Sequence, residues 1–413
     1  MQATLQLSER VESIRFPVDV IDAFLDDLRS AGYASNTLIK RRWVLSTFAR
    51  WATSQRIKPA DFDDTVVDAF LSRLSSAPAD RIQLERRVIR RFLAHLRQRG
   101  LVSPAPLGKD LASDVLHADF VAYLQQARGL AENSIQVYGP YVLQYLRTQD
   151  TGDGQLAPSA FDVTTMRHHL LIQAADKSGE VTRLMAIALR AFCRFLFLRG
   201  KTTADMSDSV PSVRKWRQAT VPAFITPEQQ LAILAAIDRT TPSGSRDYAV
   251  LLLLAQLGLR ASEVISLTLD DILWRKGELV IHGKGGTIEH VPLPNEVGEA
   301  LVSYLCDVRP SSASRHIFLR TYAPHIGLTG PAAIGHIVRR AFVQAGFRPR
   351  SRGAAHLFRH GLATTMIRQG ASMHEIAQVL RHRSENSTAI YAKVAFEALR
   401  SVARPWPTVG GAS

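Results

Sequence analysis

Apolar residues recur at helical spacing along most of the chain. Val20, Ile21, Phe24, Leu25 and Leu28 form one such stripe. Ser35 or Asn36 then stands where a helix cap is expected, ahead of Trp43, Val44, Phe48 and Trp51, which the spacing turns inward. The pattern then repeats about a hundred residues on. Phe24-Leu25-Asp26-Asp27-Leu28 before Gly32-Tyr33-Ala34-Ser35-Asn36-Thr37 is echoed by Phe120-Val121-Ala122-Tyr123-Leu124 before Gly129-Leu130-Ala131-Glu132-Asn133-Ser134. Arg90-Arg91-Phe92-Leu93 leading to Arg99-Gly100 is echoed by Arg190-Ala191-Phe192-Cys193 leading to Arg199-Gly200. Such a period marks a duplicated helical unit, each copy reading as four helices. Pro104 and Pro106 separate the copies, and a polar linker follows the second.

Beyond the linker the pattern changes. Thr226-Pro227-Glu228 opens a helix, with a capping Thr and Pro in the first turn, running to Asp238. A second helix covers Arg246 to Leu257. A short one covers Ala261 to Leu267. The apolar run Tyr248 to Leu259 is interrupted by Gln256 and is too short for a bilayer, which takes ~20 residues; it reads as a buried helix. Glu278 to Ile281 and Ile288 to Leu293 alternate around a Gly-rich turn, which predicts a hairpin. From Pro331 the pattern is helical again. The expected organisation is a first helical domain (1–105), a second (111–202), a linker (203–220), a catalytic domain (221–405) and a tail (406–413). The fold class is mainly α with a small β-hairpin or sheet in the C-terminal domain.

Composition narrows the partner. Lys and Arg total 51 against 37 Asp and Glu in 413 residues, a formal charge of +14, which favours a polyanion. The basic residues are patterned. Arg81 to Arg99 holds seven Arg and one Glu. There Arg86, Arg87, Arg90 and Arg91 alternate with an apolar stripe of Leu84, Val88, Ile89, Phe92, Leu93 and Leu96. Lys40, Arg41 and Arg42 form a second cluster. A solvated face is the plain alternative; the scarcity of balancing acids favours phosphate contacts to double-stranded DNA. Cys193 and Cys306 lie far apart without ligand spacing and read as packed thiols in a reducing compartment. The 13 histidines give no two-His ligand pattern, so no metal is expected. With no signal-type apolar region at the N-terminus, a cytoplasmic, nucleoid-associated protein without membrane contact is expected.

Four segments carry chemistry. They are Gly258-Leu259-Arg260-Ala261-Ser262-Glu263, Gly283-Lys284-Gly285-Gly286, His356-Leu357-Phe358-Arg359-His360, and Leu380-Arg381-His382-Arg383 followed by Tyr391 nine residues after His382. Each alone has a dull reading: a local Arg260–Glu263 pair, an exposed hairpin lysine, a capping His and Arg, a core tyrosine. Together, and in this order, they resemble the tyrosine recombinase (phage integrase) family. The resemblance is strongest from Val221 to about Arg404 and looser over Ser113 to Gly200, which looks like the family's core-binding domain. Two departures stand out. Arg381 replaces the usual glycine, so the turn must accept a side chain there, which could add a phosphate contact. The helical copy is also duplicated, as in some recombinases encoded by transposons.

The resemblance implies a site-specific DNA recombinase or integrase working through a 3′-phosphotyrosyl intermediate, with Tyr391 as nucleophile. A free phenol, with pKa ~10, is a weak nucleophile that cationic neighbours improve. Two arginines, Arg260 and Arg359, can fork the non-bridging oxygens. By the resemblance, Lys284 protonates the leaving oxygen, His356 and His382 donate hydrogen bonds or shuttle protons, and Glu263 orients Arg260. Guanidinium groups then do the electrostatic work, so no cofactor is expected. The phosphotyrosyl bond retains the energy of the cut strand, so no ATP is expected, and the chain has no Gly-x-x-x-x-Gly-Lys-Ser/Thr loop. A homotetramer on DNA, with or without sister recombinases, is implied. The alternatives are a type IB topoisomerase-like relaxing enzyme, a catalytically silent DNA-binding relative, and a helical scaffold without a DNA role.

Overall fold

A computed structural model describes residues 18–75, 77–102, 111–151, 155–213, 223–283, 286–348, 354–382, 388 and 391. The N-terminal half contains two runs of four helices in the same order. The first run is α1 (Val18–Ser30), α2 (Ser35–Ser54), α3 (Asp64–Ser72) and α4 (Ala79–Gln98); the second is α5 (Ala112–Gln126), α6 (Glu132–Arg147), α7 (Val163–Asp176) and α8 (Gly179–Leu198). A 3-10 turn separates the second and third helices of each run, at Pro59–Asp61 and Pro158–Phe161. This is the element order that the repeat predicts. By its contacts the chain divides into two units. One gathers the described residues of Phe48–Arg217; the other joins those of Pro17–Thr47 to those of Gln218–Ser413.

In the first unit, α3 and α4 pack through Val67, Phe70, Val88, Ile89, Phe92 and Leu93, all buried. Phe70 meets Phe48 edge-on with ring centroids 5.2 Å apart. The second run closes around Phe120, Tyr145, Met166, Phe192 and Phe195. Phe120 packs edge-on against Phe192 at 5.4 Å, an arrangement that adds to the value of burial. The Tyr145 hydroxyl, inside this core, donates to Ala160 O at 2.9 Å, which removes the penalty for burying it.

Three sequence expectations fail here. Trp43 is 52% exposed and Leu84 is 51% exposed, so neither joins a core. Helical spacing locates a stripe but not its edges, and both residues sit at an edge. Glu85 is buried instead, taking a 3.1 Å bond from Arg81. Cys193 is a packed thiol, pushed up to about 11 by burial, but Cys306 is exposed.

The second unit is organised on α10 (Pro242–Gln256), which α9 (Pro227–Ala235) precedes. Ala249 to Ala255 are all buried. Each fully buried leucine stabilises by ~1.5–3 kcal/mol relative to exposure, so Leu251 to Leu254 make this helix a strong anchor. It contacts α11 (Ala261–Ser266), α12 (Asn295–Ser303), α13 (Pro331–Gln344) and α14 (Ala354–Arg368). Helix α15 (Met373–Val379) packs on α14. The predicted hairpin is present as β2 (Glu278–His282) and β3 (Ile288–Pro292), antiparallel with Leu279 opposite Val291. A two-residue β1 (Ile272–Leu273), which periodicity could not reveal, adds a third strand in the order β1-β2-β3.

Candidate active site

The chain leaves α10 through Leu257 and turns sharply at Gly258, whose φ is +57°. A Cβ there would lie 2.9 Å from Leu380 and 3.0 Å from Leu362, so only glycine fits both the backbone and the space. The turn delivers Arg260 to the start of α11. Glu263, one helical turn later and buried, reaches back. Its Oε2 accepts the Arg260 backbone N–H at 2.9 Å, and its Oε1 accepts Arg260 Nη1 at 2.5 Å. Burial pushes this carboxyl up, but the bonds from Arg260 and the charges of Arg381 and Arg260 hold it below the usual range. It is therefore an anion, oriented on Arg260.

Helix α14 contributes His356, Arg359 and His360. Arg359 is buried and donates to two carbonyls, Gly258 O at 2.5 Å and Leu380 O. Burial first, then the charges of Arg260 and Arg381, pull its guanidinium down to about 10, still charged at neutral pH. Arg260 Nη2 donates to Arg381 O at 3.3 Å. The two arginines thus grip consecutive carbonyls of the turn after α15. His382 follows that turn, with Nδ1 2.8 Å from Thr388 Oγ1.

Tyr391 lies against these groups, only 1% exposed, in an apolar patch with Ala363, Ile376 and Leu380. Its ring is parallel to that of His382, with centroids 6.2 Å apart. Its hydroxyl is 2.8 Å from His360 Nδ1. Burial pushes the phenol up to about 12, against the pull of Arg359 and Arg260. His382 and His360 are both pulled down to about 4, by burial first and then by neighbouring positive charge, so both rings are neutral at pH 7. His356 is exposed, with its ring 6.3 Å from that of His360. Partial desolvation, Arg359 and Arg260 lower its pKa as well.

Arg260, Glu263, His356, Arg359, His382 and Tyr391 therefore converge, although Arg260 and Tyr391 lie more than a hundred residues apart in the chain. Lys284 lies outside the described residues. Its hairpin flanks the site, because Glu289 on β3 is 3.7 Å from Arg381 Nε. Two members were missed as site residues by sequence reasoning. His360 gave no signal beyond adjacency to Arg359. Arg381 was visible only as a departure from a glycine.

The expected DNA-contacting residues lie elsewhere. Arg86 pairs with Asp68, and Arg90 Nε is 2.8 Å from Asp64. Arg87 donates to Gln83 O at 3.2 Å. Arg42 pairs with Asp22, and Arg41 stacks over Tyr33 at 4.2 Å. Lys40 and Arg91 are exposed. The acids that pair with Arg86 and Arg90 come from α3 rather than from α4 itself. Among the described residues, no helix is long and apolar enough to cross a membrane, and no cluster of three His, Cys, Asp or Glu could hold a metal.

Comparison with known proteins agrees with this arrangement. Residues 223–398 match the phage integrase family. A candidate integrase/recombinase, y4rA, of Sinorhizobium fredii is 35% identical over 390 residues, covering 93% of each chain. Tyrosine recombinase XerC of Anoxybacillus flavithermus is 27% identical, covering 68% of this chain and 94% of its own. The fold resembles that of XerH site-specific recombinase bound to a palindromic difH substrate, with TM-score 0.52 and 18% identity, covering 69% of this chain and 83% of that one. It also resembles a lambda integrase dimer on a core site, with TM-score 0.51 and 16% identity, covering 72% of this chain and 98% of that one. The chain belongs to the phage integrase family of tyrosine recombinases. It is a site-specific tyrosine recombinase, an enzyme that cleaves and rejoins DNA. The relaxing-enzyme alternative is not favoured.

Proposed function

We propose that Tyr391 is the nucleophile and that Arg260, Arg359, His356, His382 and Lys284 complete the site. The observation that carries this reading is the charge balance around the tyrosine. Three guanidinium groups, Arg260, Arg359 and Arg381, crowd one buried carboxylate, Glu263. Buried charge without a partner is costly, so the site is short of an anion. A phosphodiester supplies one, and the forked donors of Arg260 and Arg359 suit its two non-bridging oxygens.

In the reaction, Tyr391 Oη attacks phosphorus and the 5′-oxygen leaves. The phenolic proton passes to a neutral imidazole of the site, and Lys284 protonates the leaving oxygen. Reversal by a different 5′-hydroxyl rejoins the strand. The guanidinium groups stabilise the charge of the phosphorane, so the chemistry runs without metal or ATP. Four cleavages on two duplexes call for four copies, and we read the active assembly as a homotetramer on DNA, alone or with sister recombinases. The basic residues Lys40, Arg41, Arg42, Arg86, Arg87, Arg90 and Arg91 extend the DNA footprint, and the protein works in the cytoplasm on the nucleoid.

The test is a covalent trap. The protein is incubated with a library of nicked duplexes drawn from its own flanking DNA, and the adduct is digested and sequenced by mass spectrometry. The adduct is expected on Tyr391 and absent from Tyr391→Phe, whose DNA affinity stays within a few-fold because only a hydroxyl is lost. An adduct on another residue, or one that persists in the phenylalanine variant, overturns the assignment.

A further inference from the structure

Helix α15 ends in a turn that its sequence does not favour. His382 N–H bonds to Ala377 O at 2.9 Å and Arg381 N–H to Gln378 O at 3.0 Å. This is the Schellman pattern, whose left-handed position usually holds glycine. Here Arg381 holds it, with φ +54°. A non-glycine residue pays a steric cost in that conformation, so its side chain must return something.

The side chain is folded inward and only 6% exposed. Its Nη atoms donate to Leu257 O at 3.3 and 3.4 Å, and Nη1 donates to Val379 O at 3.0 Å. Nη2 donates to Glu263 Oε2 at 3.3 Å, and Nε lies 3.7 Å from Glu289 Oε2. This corrects the expectation of a phosphate contact: the guanidinium is spent on the protein. Glu263 is therefore shared, with Oε1 on Arg260 and Oε2 on Arg381 and the Arg260 backbone. The Arg381 carbonyl accepts from Arg260 Nη2. One residue thus holds Arg260 twice, directly through its backbone and indirectly through Glu263.

We propose that Arg381 is a positioning residue for strand cleavage, fixing the Glu263 carboxylate and through it the Arg260 guanidinium that binds the scissile phosphate. The proposal rests on the phosphate-binding role of Arg260 given above. It is tested on the duplex recovered by the covalent trap, by measuring single-turnover cleavage and DNA affinity separately. Arg381→Gly and Arg381→Asn both suit a left-handed backbone, so the turn is retained. Each is expected to slow cleavage about 10- to 100-fold, the scale of a misplaced catalytic group, with DNA affinity within about twofold. Arg381→Lys, which keeps one donor for Glu263, falls between them and wild type.

The decisive readout is a double-mutant cycle. In a Glu263→Gln background the further loss from Arg381→Gly shrinks to less than about threefold, because the route through the carboxylate is already broken. Equal losses in both backgrounds, a wild-type cleavage rate in Arg381→Gly, or a loss confined to DNA affinity each overturn the proposal. Wild-type protein that binds duplexes of the library without forming an adduct on any of them overturns the proposed function itself, and this proposal with it.

Discussion

Replacing Arg86, Arg87, Arg90 and Arg91 together with glutamine measures what the basic face of α4 does. Each phosphate contact contributes ~0.9 to the slope of log affinity against log salt, so four contacts give about 3.6 units. The structure complicates that figure. In the free protein Arg86 pairs with Asp68 and Arg90 with Asp64. If those two pairs persisted on DNA, two of the four contacts would be lost and the slope would flatten by about 1.8 units at most. The Arg90 pair is between side chains 52% and 58% exposed. Exposed pairs are worth ~0–1 kcal/mol, less than a phosphate contact at low salt. The pairs should therefore yield, and the expected change is roughly 3–4 units. Fluorescence anisotropy of a labelled duplex over a salt series reads it directly. Asp64→Asn with Asp68→Asn serves as the complement, raising affinity at low salt by removing the competing carboxylates. An unchanged slope in the arginine variant refutes DNA contact by this face. A change near 1.8 units shows that the pairs survive binding.

Three further outcomes follow from the site and its chain. Tyr391→Phe leaves His360 Nδ1 without its 2.8 Å partner, so beyond losing the adduct it should lower stability by about 1 kcal/mol in denaturant titration; an unchanged midpoint would mean the bond contributes nothing. His360 and His382, pulled to about 4 in the fold, protonate near 6.5 when unfolded, so their stabilisation is complete above pH 6.5 and is lost as pH falls toward 4. Urea unfolding at pH 5.5 should show about 2 kcal/mol less stability than at pH 7.5, and His360→Gln should halve the difference; equal stabilities contradict the burial of these rings. Residues 392–413 lie outside the described residues; Val394, Phe396, Leu399, Val402 and Trp406 are spaced as an apolar face that suits packing on the same domain or docking on a neighbouring copy. Deletion from Leu399 onward should spare binding to one site and abolish two-duplex complexes in native gels, whereas normal synapsis by the truncated protein refutes docking in trans.

Much of the second unit could be read directly from the sequence. The helix Pro242–Gln256 is visible through its apolar run from Tyr248, although its polar first turn ahead of Arg246 is not, and the hairpin as alternation around glycines. Arg260, Glu263, His356, Arg359, His382 and Tyr391, which the fold brings together, were legible for a different reason: each alone has a plain reading, but their order and spacing resemble one family's motifs. What stayed hidden depends on tertiary direction. Nothing in the spacing of Leu84 or Trp43 states which edge of a stripe meets a neighbour. Nothing in Leu380-Arg381-His382 states that the arginine turns inward, because that depends on Glu263 more than a hundred residues away. The pairing of Arg86 and Arg90 was equally illegible from α4 alone, since the acids belong to α3.

The buried hydroxyl of Tyr391 bears on how safely such an enzyme can circulate among the DNA it does not cut. On the proposal that Tyr391 is the nucleophile, its oxygen, 1% exposed and pushed by burial up to about 12, is sheathed. On that reading, chance encounters with DNA would meet no exposed reactive oxygen and would end in release. Cutting would then wait on an event that unsheathes the tyrosine and seats a phosphate beside it, so that strand breakage would be guarded before any base is read.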